Sequence, residues 1–176
     1  TCITNTCLNV REDEYDVSNL LDNGQVSKVI TTFIGDPNQN VPAVAMWEAG
    51  KLEIELITQG VFTERIRAAG VGIGGFFIPD TTAALPGAGE DTRLFSGKLC
   101  RFEEPLFADY ALISAHMGDT LGNLYYRLCQ RNFNPLMASA ASTTIAEVRE
   151  LVAPGAIDPE KVHTPGIYVH RLVETG

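Results

Sequence analysis

Glu55-Leu-Ile-Thr-Gln-Gly60, followed by Thr63-Glu-Arg-Ile-Arg67 and then Gly70-Val-Gly-Ile-Gly-Gly75, reads as strand, polar turn, helix and second glycine turn. Just upstream, Leu52, Ile54 and Leu56 alternate with Lys51, Glu53 and Glu55, the two-residue period of a half-buried strand. A strand is therefore expected over 51–57, and Gln59 stands where its alternation stops. In open α/β sheets ligands bind beyond the carboxyl ends of the strands, and an uncharged amide there suits a carboxylate or a carbonyl. Glu53 and Glu55 share a strand face, but the alternation already explains them as a solvated face rather than an acid/base pair. Gly70-x-Gly72-x-x-Gly75 matches a dinucleotide fingerprint in letters only, because it follows a helix pattern where the fingerprint requires a strand.

The rest of the chain extends the same texture. Val17 to Leu21 reads as a short helix closed by Asn23-Gly24, and Lys28-Val-Ile-Thr-Thr-Phe-Ile34, rich in β-branched residues, as a buried strand closed by Gly35. Asp36-Pro37 suits a cap, and Val41 to Ala49 reads as a helix with Gly50 at its carboxyl end. The stretch bracketed by Pro79-Asp80 and Pro86-Gly87-Ala88-Gly89 is poorly patterned. Ser96-Gly97 sits between Leu94-Phe95 and Leu99-Cys-Arg-Phe102 as a hairpin turn would. A strand at Tyr110–Ala115 joins Leu124-Tyr-Tyr126 through Asp119-Thr-Leu-Gly-Asn123. A small-residue helix from Asn134-Pro135 to Ala141, a β-rich run from Thr143 to Val148, a proline-opened helix at Asp158-Pro159-Glu160 and a closing strand at Ile167–Val173, with His170 on it, complete the pattern. Strands alternating with helices, plus a β-hairpin insert, predict a three-layer α/β/α domain on an open, mostly parallel sheet.

Composition sets bounds on partners. With 176 residues, 45% of them hydrophobic, one sizeable core is expected and a single domain over 1–176 is the default. Thirteen basic against 22 acidic residues give a formal net charge of −9 with no basic run, which argues against nucleic acid. No apolar stretch approaches a membrane span, and the first residues lack the pattern of a signal peptide, so a soluble protein is expected. Cys2, Cys7, Cys100 and Cys129 are too few and too irregular for a disulfide framework or a zinc site; small buried thiols in a reducing compartment fit better. His116, His163 and His170 stand alone, and there is no nucleophile elbow, Walker loop or zinc motif. No metal site is expected. Cys2-Ile3-Thr4-Asn5 already looks like the end of a strand, so an earlier segment is expected before Thr1.

The run from Glu55 to Gly60 with Glu64-Arg-Ile-Arg67 and Ala69-Gly-Val-Gly-Ile-Gly-Gly-Phe-Phe-Ile-Pro79 closely resembles the A subunits of family I coenzyme A transferases of the 3-oxoacid (acetoacetate) type. Phe107-Ala-Asp-Tyr-Ala-Leu-Ile113, Gly118-Asp-Thr-Leu-Gly-Asn123, Arg131-Asn-Phe-Asn-Pro135 and Val162-His-Thr-Pro-Gly-Ile-Tyr-Val169 extend the resemblance in order over nearly the whole chain. It implies a hetero-oligomer with a B subunit that moves coenzyme A from an acyl-CoA to a small carboxylate, working in the cytoplasm, or in the mitochondrial matrix of a eukaryote. It also implies that the coenzyme A thioester is a substrate and that no cofactor is permanently bound. The covalent carrier is a glutamate of the B subunit or B half, and no segment here resembles it, so no catalytic nucleophile is expected in this chain.

Two amides match the family's substrate pocket position by position: Asn5 in Ile3-Thr-Asn-Thr6, and Gln59, followed by Gly60, in the E-x-x-x-Q-G pattern. Thr6 stands where the family has a second asparagine or aspartate and is expected to support the pocket. Gly72, Gly74 and Gly75, with Arg131, Asn132 and Asn134, are expected to support the pocket and its loops, although glycines after a helix commonly serve turn geometry alone. The family's opening strand and glycine-rich turn have no counterpart here. Two alternatives remain: an enzyme of another reaction on a similar scaffold, such as a sugar-phosphate isomerase, and a non-catalytic ligand-binding paralogue.

Overall fold

A computed structural model describes residues 1–4, 17–35, 41–79 and 91–175. The expectations placed on Asn5, Thr6, Cys7, Asp36-Pro37, Asp80 and the Pro86–Gly89 stretch lie outside those residues. Two compact units are formed, Thr1–Phe62 and Thr63–Gly176.

The first unit is a parallel sheet. Its strands β1 (Cys2–Ile3), β2 (Lys28–Thr31) and β3 (Glu53–Leu56) lie in that order, joined by crossovers that carry helices α1 (Ser18–Asp22) and α2 (Pro42–Glu48). Proline at the first position of α2 lacks only an N–H that has no helical partner there. The core gathers Leu21, Val26, Val29, Val41, Ala43 and Leu52, each large member contributing on the order of 1.5–3 kcal/mol on burial.

Strand β2 stops short of the expected 28–34. At its end the Thr31 hydroxyl donates to the Phe33 carbonyl and accepts the Phe33 N–H, at 3.2 and 3.4 Å, which bends the chain out of the ladder. Strand β3 also departs from expectation at its end: Leu56 is exposed and Ile57 is buried. The alternation breaks because the chain is already turning into the next helix. Glu53 and Glu55 both pair with Lys28 of the neighbouring strand, at 2.7 and 2.9 Å. Those carboxylates hold the Lys28 ammonium above its ordinary pKa, so the shared face is an ion-paired surface.

Helix α3 (Gln59–Gly70) starts in the first unit and ends in the second. Phe62 and Ile66, one turn apart, are buried. Its end is set by Gly72, at φ +74°, a left-handed conformation that side chains resist. The Gly72 N–H reaches the Ala69 carbonyl at 3.2 Å and the Ile73 N–H reaches Ala68 at 2.9 Å, the paired bonds of a Schellman cap. Helices α1 and α2 close with the same pair of bonds, from Gly24 and Gln25 and from Gly50 and Lys51.

In the second unit, β4 (Phe76–Pro79), β5 (Thr92–Phe95) and β6 (Lys98–Glu103) form an antiparallel sheet in the order β4-β6-β5. The expected hairpin is present, with Ser96 and Gly97 both at positive φ, as a type I′ turn requires. Phe77 packs against Phe95 and Phe102 on one face of it, with Arg93 over its ring at 4.9 Å.

The larger sheet of this unit holds β7 (Ala108–Asp119), β8 (Leu124–Tyr125), β9 (Ala141–Val152) and β10 (Arg171–Glu174), in the order β10-β9-β7-β8, parallel except for β8. Helix α4 (Asn134–Ala140) leads into β9, and Ala111, Ile113, Ala115, Leu124, Tyr126, Ala138, Ala146 and Val148 form the core. Strands β7 and β9 run beyond the expected 110–115 and 143–148, because the ladder continues beneath polar residues that a hydrophobicity pattern takes for strand ends. The closing strand is shorter than expected. Gly166–Tyr168 is a single 3₁₀ turn, His170 precedes β10, and pairing with β9 begins only at Arg171. Asp158-Pro159-Glu160 likewise opens one 3₁₀ turn, capped by the Asp158 carboxylate on the Glu160 N–H at 3.0 Å. Among the described cysteines only Cys100 is buried; Cys129 is exposed and Cys2 lies between.

Candidate functional site

At the carboxyl edge of the first sheet, Gln59 is the first residue of α3, and the Phe62 N–H closes the first turn on the Thr58 carbonyl at 2.9 Å. Gln59 and Gly60 are exposed. The side chain therefore stands at a helix N-terminus, where backbone N–H groups and the helix dipole favour negative charge. A carboxamide in that place donates to a carbonyl or carboxylate without changing its own charge. The adjacent strand adds a residue that sequence reading put inside β2: Phe33, 52% exposed, swung outward by the Thr31 turn. Gly35 and Asp36-Pro37, closing the run just after it, were the local signal for that turn. Beyond β1 the chain reaches Thr4, buried, with its N–H on the Ile30 carbonyl at 3.1 Å; Asn5 and Thr6 follow and lie outside the described residues.

The glycines after α3 divide by cause. A Cβ on Gly75 would collide with the Phe102 ring, and one on Gly70 with Ser139, so both mark close packing. Gly72 serves the helix cap, and Gly74 has open space where a Cβ would stand. Among the described residues no three His, Cys, Asp or Glu side chains gather as a metal ion would require.

The Arg131-Asn-Phe-Asn134 segment lies on a tightly bonded loop. A 3₁₀ turn spans Leu128–Arg131, and the Arg127 N–H donates to Gln130 Oε1 at 3.2 Å. Leu128 is 86% exposed and sits at φ +54°. Such a conformation costs a bulky residue roughly 1–3 kcal/mol and persists only where the surroundings enforce it. Part of the enforcement comes from Asn134, whose Nδ2 donates to the Ser114 carbonyl at 3.1 Å and the Gln130 carbonyl at 2.6 Å. Arg131 and Asn132 are exposed.

Beneath this loop lies a cluster that sequence reading did not assemble. His163 Nδ1 accepts the Tyr126 N–H at 3.1 Å, and its ring stacks against Tyr125 and Tyr126 with centroids 5.2 and 6.0 Å away. Burial first, and then the positive charge of Arg131, push the imidazole below its ordinary value of 6.5. The buried Tyr126 hydroxyl lies 2.9 Å from Thr164 Oγ1, and burial, partly opposed by that bond, pushes the phenol up to about 12. Nearby, the buried Asp119 carboxylate accepts the N–H groups of Leu121 and Asn123 at 3.0 and 2.9 Å, and Asn123 Oδ1 accepts the Gly166 N–H at 3.0 Å. This ties the β7–β8 turn to the 163–170 segment.

The family model described as Coenzyme A transferase matches residues 1–175. The A subunit of the 3-oxoadipate CoA-transferase of Pseudomonas putida is 46% identical over 167 residues, covering 94% of this chain and 71% of that protein. The A subunit of a probable succinyl-CoA:3-ketoacid coenzyme A transferase of Bacillus subtilis (strain 168) is 38% identical over 173 residues, covering 98% and 70%. Among solved structures, an acyl-CoA transferase apoenzyme from Escherichia coli O157:H7 superposes with a TM-score of 0.76 at 20% identity, over 92% of this chain but only 34% of that one. That likeness supports the α/β fold. Matched from end to end, and by such close relatives, the chain belongs to the coenzyme A transferase family.

Proposed function

We propose that this chain is the A half of a shared active site that moves coenzyme A between a short acyl-CoA and a 3-oxoacid, with the attacking glutamate supplied by a partner B subunit. The partner's carboxylate attacks the thioester carbonyl and releases the coenzyme A thiolate, leaving a mixed anhydride. The thiolate then attacks the glutamyl carbonyl, the donor leaves as a carboxylate, and a glutamyl thioester remains to be passed to the acceptor by the reverse steps. Each step passes through a tetrahedral centre bearing a negative oxygen. Gln59 is assigned to donate to that oxygen, or to the acceptor carboxylate, with Asn5 as the second amide. Thr6, the glycines and the Arg131–Asn134 loop support the pocket.

The observation that carries this reading is the place of Gln59: exposed, at the amino end of α3, and beyond the carboxyl edge of a parallel sheet. The names of the relatives make 3-oxoadipate and other 3-ketoacids the first acceptors to try. Acetoacetate joins them on the sequence resemblance alone, and the reaction is assigned to the cytoplasm or, in a eukaryote, to the mitochondrial matrix on the same ground. The test is a coenzyme A exchange assay on the protein co-expressed with its B subunit, together with borohydride trapping after acyl-CoA treatment. Label should appear on the partner's glutamate and never on this chain. Gln59→Ala should lower kcat about 100- to 1,000-fold while the complex still assembles. Undiminished turnover in that variant removes Gln59 from the mechanism, and label on this chain removes the division of labour.

A further inference from the structure

Tyr126 joins β8 to the strained Arg127–Asn134 loop, and its N–H ends on an imidazole where a strand would offer a carbonyl. Next to it, the N–H groups of His163 and Thr164 reach the Leu124 carbonyl at 2.9 and 3.3 Å, and the Leu124 N–H donates to the Thr164 carbonyl at 2.9 Å. The next contact in this short antiparallel bridge is His163 Nδ1, 3.1 Å from the Tyr126 nitrogen. An imidazole that accepts at Nδ1 carries its single proton on Nε2; a second proton turns the acceptor into a donor facing a donor.

We propose that His163 is a positioning residue for the transfer reaction: as a neutral acceptor it fixes the Tyr126–Arg127 junction, and through it the loop bearing Leu128, Arg131 and Asn134, and it releases that loop on protonation. The inference rests on the reading that this loop supports the substrate pocket. The groups facing the imidazole are Tyr125 of β8, Tyr126 just after it, Arg131 from the 3₁₀ turn and, behind Tyr125, His116 of β7 with centroids 6.1 Å apart. Burial and Arg131 both oppose the charged form. A His held below its ordinary 6.5 stabilises the fold above that value, and the contribution is lost as pH falls through the lower folded value. Leu128, at φ +54°, is the second residue after Tyr126.

Two substitutions separate the roles. His163→Asn keeps an oxygen acceptor near the place of Nδ1 that takes no proton, and His163→Leu removes the acceptor. Amide hydrogen exchange, corrected for intrinsic rates, should show the 126–134 peptide of the wild type protected near pH ~7.5 and opened once the pH has fallen through the lowered folded value of His163. His163→Asn should stay protected at both, and His163→Leu should exchange about tenfold faster at both. In the assembled enzyme His163→Leu should raise the acceptor KM at least about fivefold, and His163→Asn should restore it and flatten the acid limb of kcat/KM. Wild-type protection in His163→Leu, or acid opening in His163→Asn, overturns the proposal. So does an active assembly whose kinetics ignore both substitutions. An assembly that transfers no coenzyme A even as wild type defeats the functional reading instead, and the exchange pattern still decides for or against His163 as the holder of the loop.

Discussion

Tyr126 combines a buried ring with a hydroxyl bonded to Thr164 Oγ1. Its folded pKa is raised from 10.0 to about 12, so the neutral phenol stabilises the fold below 10.0 and that contribution is lost as pH rises through about 12. The loss amounts to roughly 2–3 kcal/mol. Denaturant melts across that alkaline window should show it, and Tyr126→Phe should flatten the slope. Because the Thr164 bond favours the phenolate, Thr164→Val should move the ultraviolet phenolate titration upward; a downward move would contradict this account of the pair. Gly75→Ala should cost about 1–3 kcal/mol, measured as a lower denaturant midpoint, since Phe102 stands where the methyl must go.

Helix α3 was legible because its signals are local: the two-residue period before it, Gln59 at the break and the glycines after it all lie within one short stretch. The same locality makes its cap testable. Gly72→Ala should lower stability by about 1 kcal/mol through the left-handed conformation alone, since open space surrounds the position, and should leave the ends of α1 and α2 untouched. The 163–170 segment was illegible for the opposite reason. It is fastened at both ends by imidazoles, His163 on the Tyr126 N–H and His170 on the Thr144 N–H at 3.0 Å, and the Tyr126 to His163 contact joins residues 37 positions apart. Its run of Ile167, Tyr168 and Val169 imitates a strand, yet the chain makes a 3₁₀ turn there and joins the sheet only from Arg171. No pattern of spacing announces an imidazole taking the place of a carbonyl.

Over the chain as a whole, a net charge of −9 coexists with large apolar side chains left in solvent. Tyr110 and Leu112 alternate on one face of β7, Leu112 at 73% exposure, opposite Thr143 and Ile145 of β9. Exposed apolar surface of this kind marks a partner site or an aggregation liability. The chain expressed by itself should bind an apolar dye such as anilinonaphthalene sulfonate, and adding the B subunit should lower the fluorescence; unchanged fluorescence on complex formation would mean the partner sits elsewhere. Sequence reading reached the alternation of strands and helices, but not which strand faces stay open, because that depends on what finally covers them.

The β7 and β9 ladder, from Ala108 opposite Ala141 to Asp119 opposite Val152, also sets a timetable. A parallel pairing this long cannot close until the later strand has left the ribosome, and at roughly 5–20 residues per second that leaves the earlier strand waiting for seconds. Such non-local closure is slow. Yield from a bacterial host should therefore respond more to slower, cooler synthesis or to extra chaperone than to any single surface substitution.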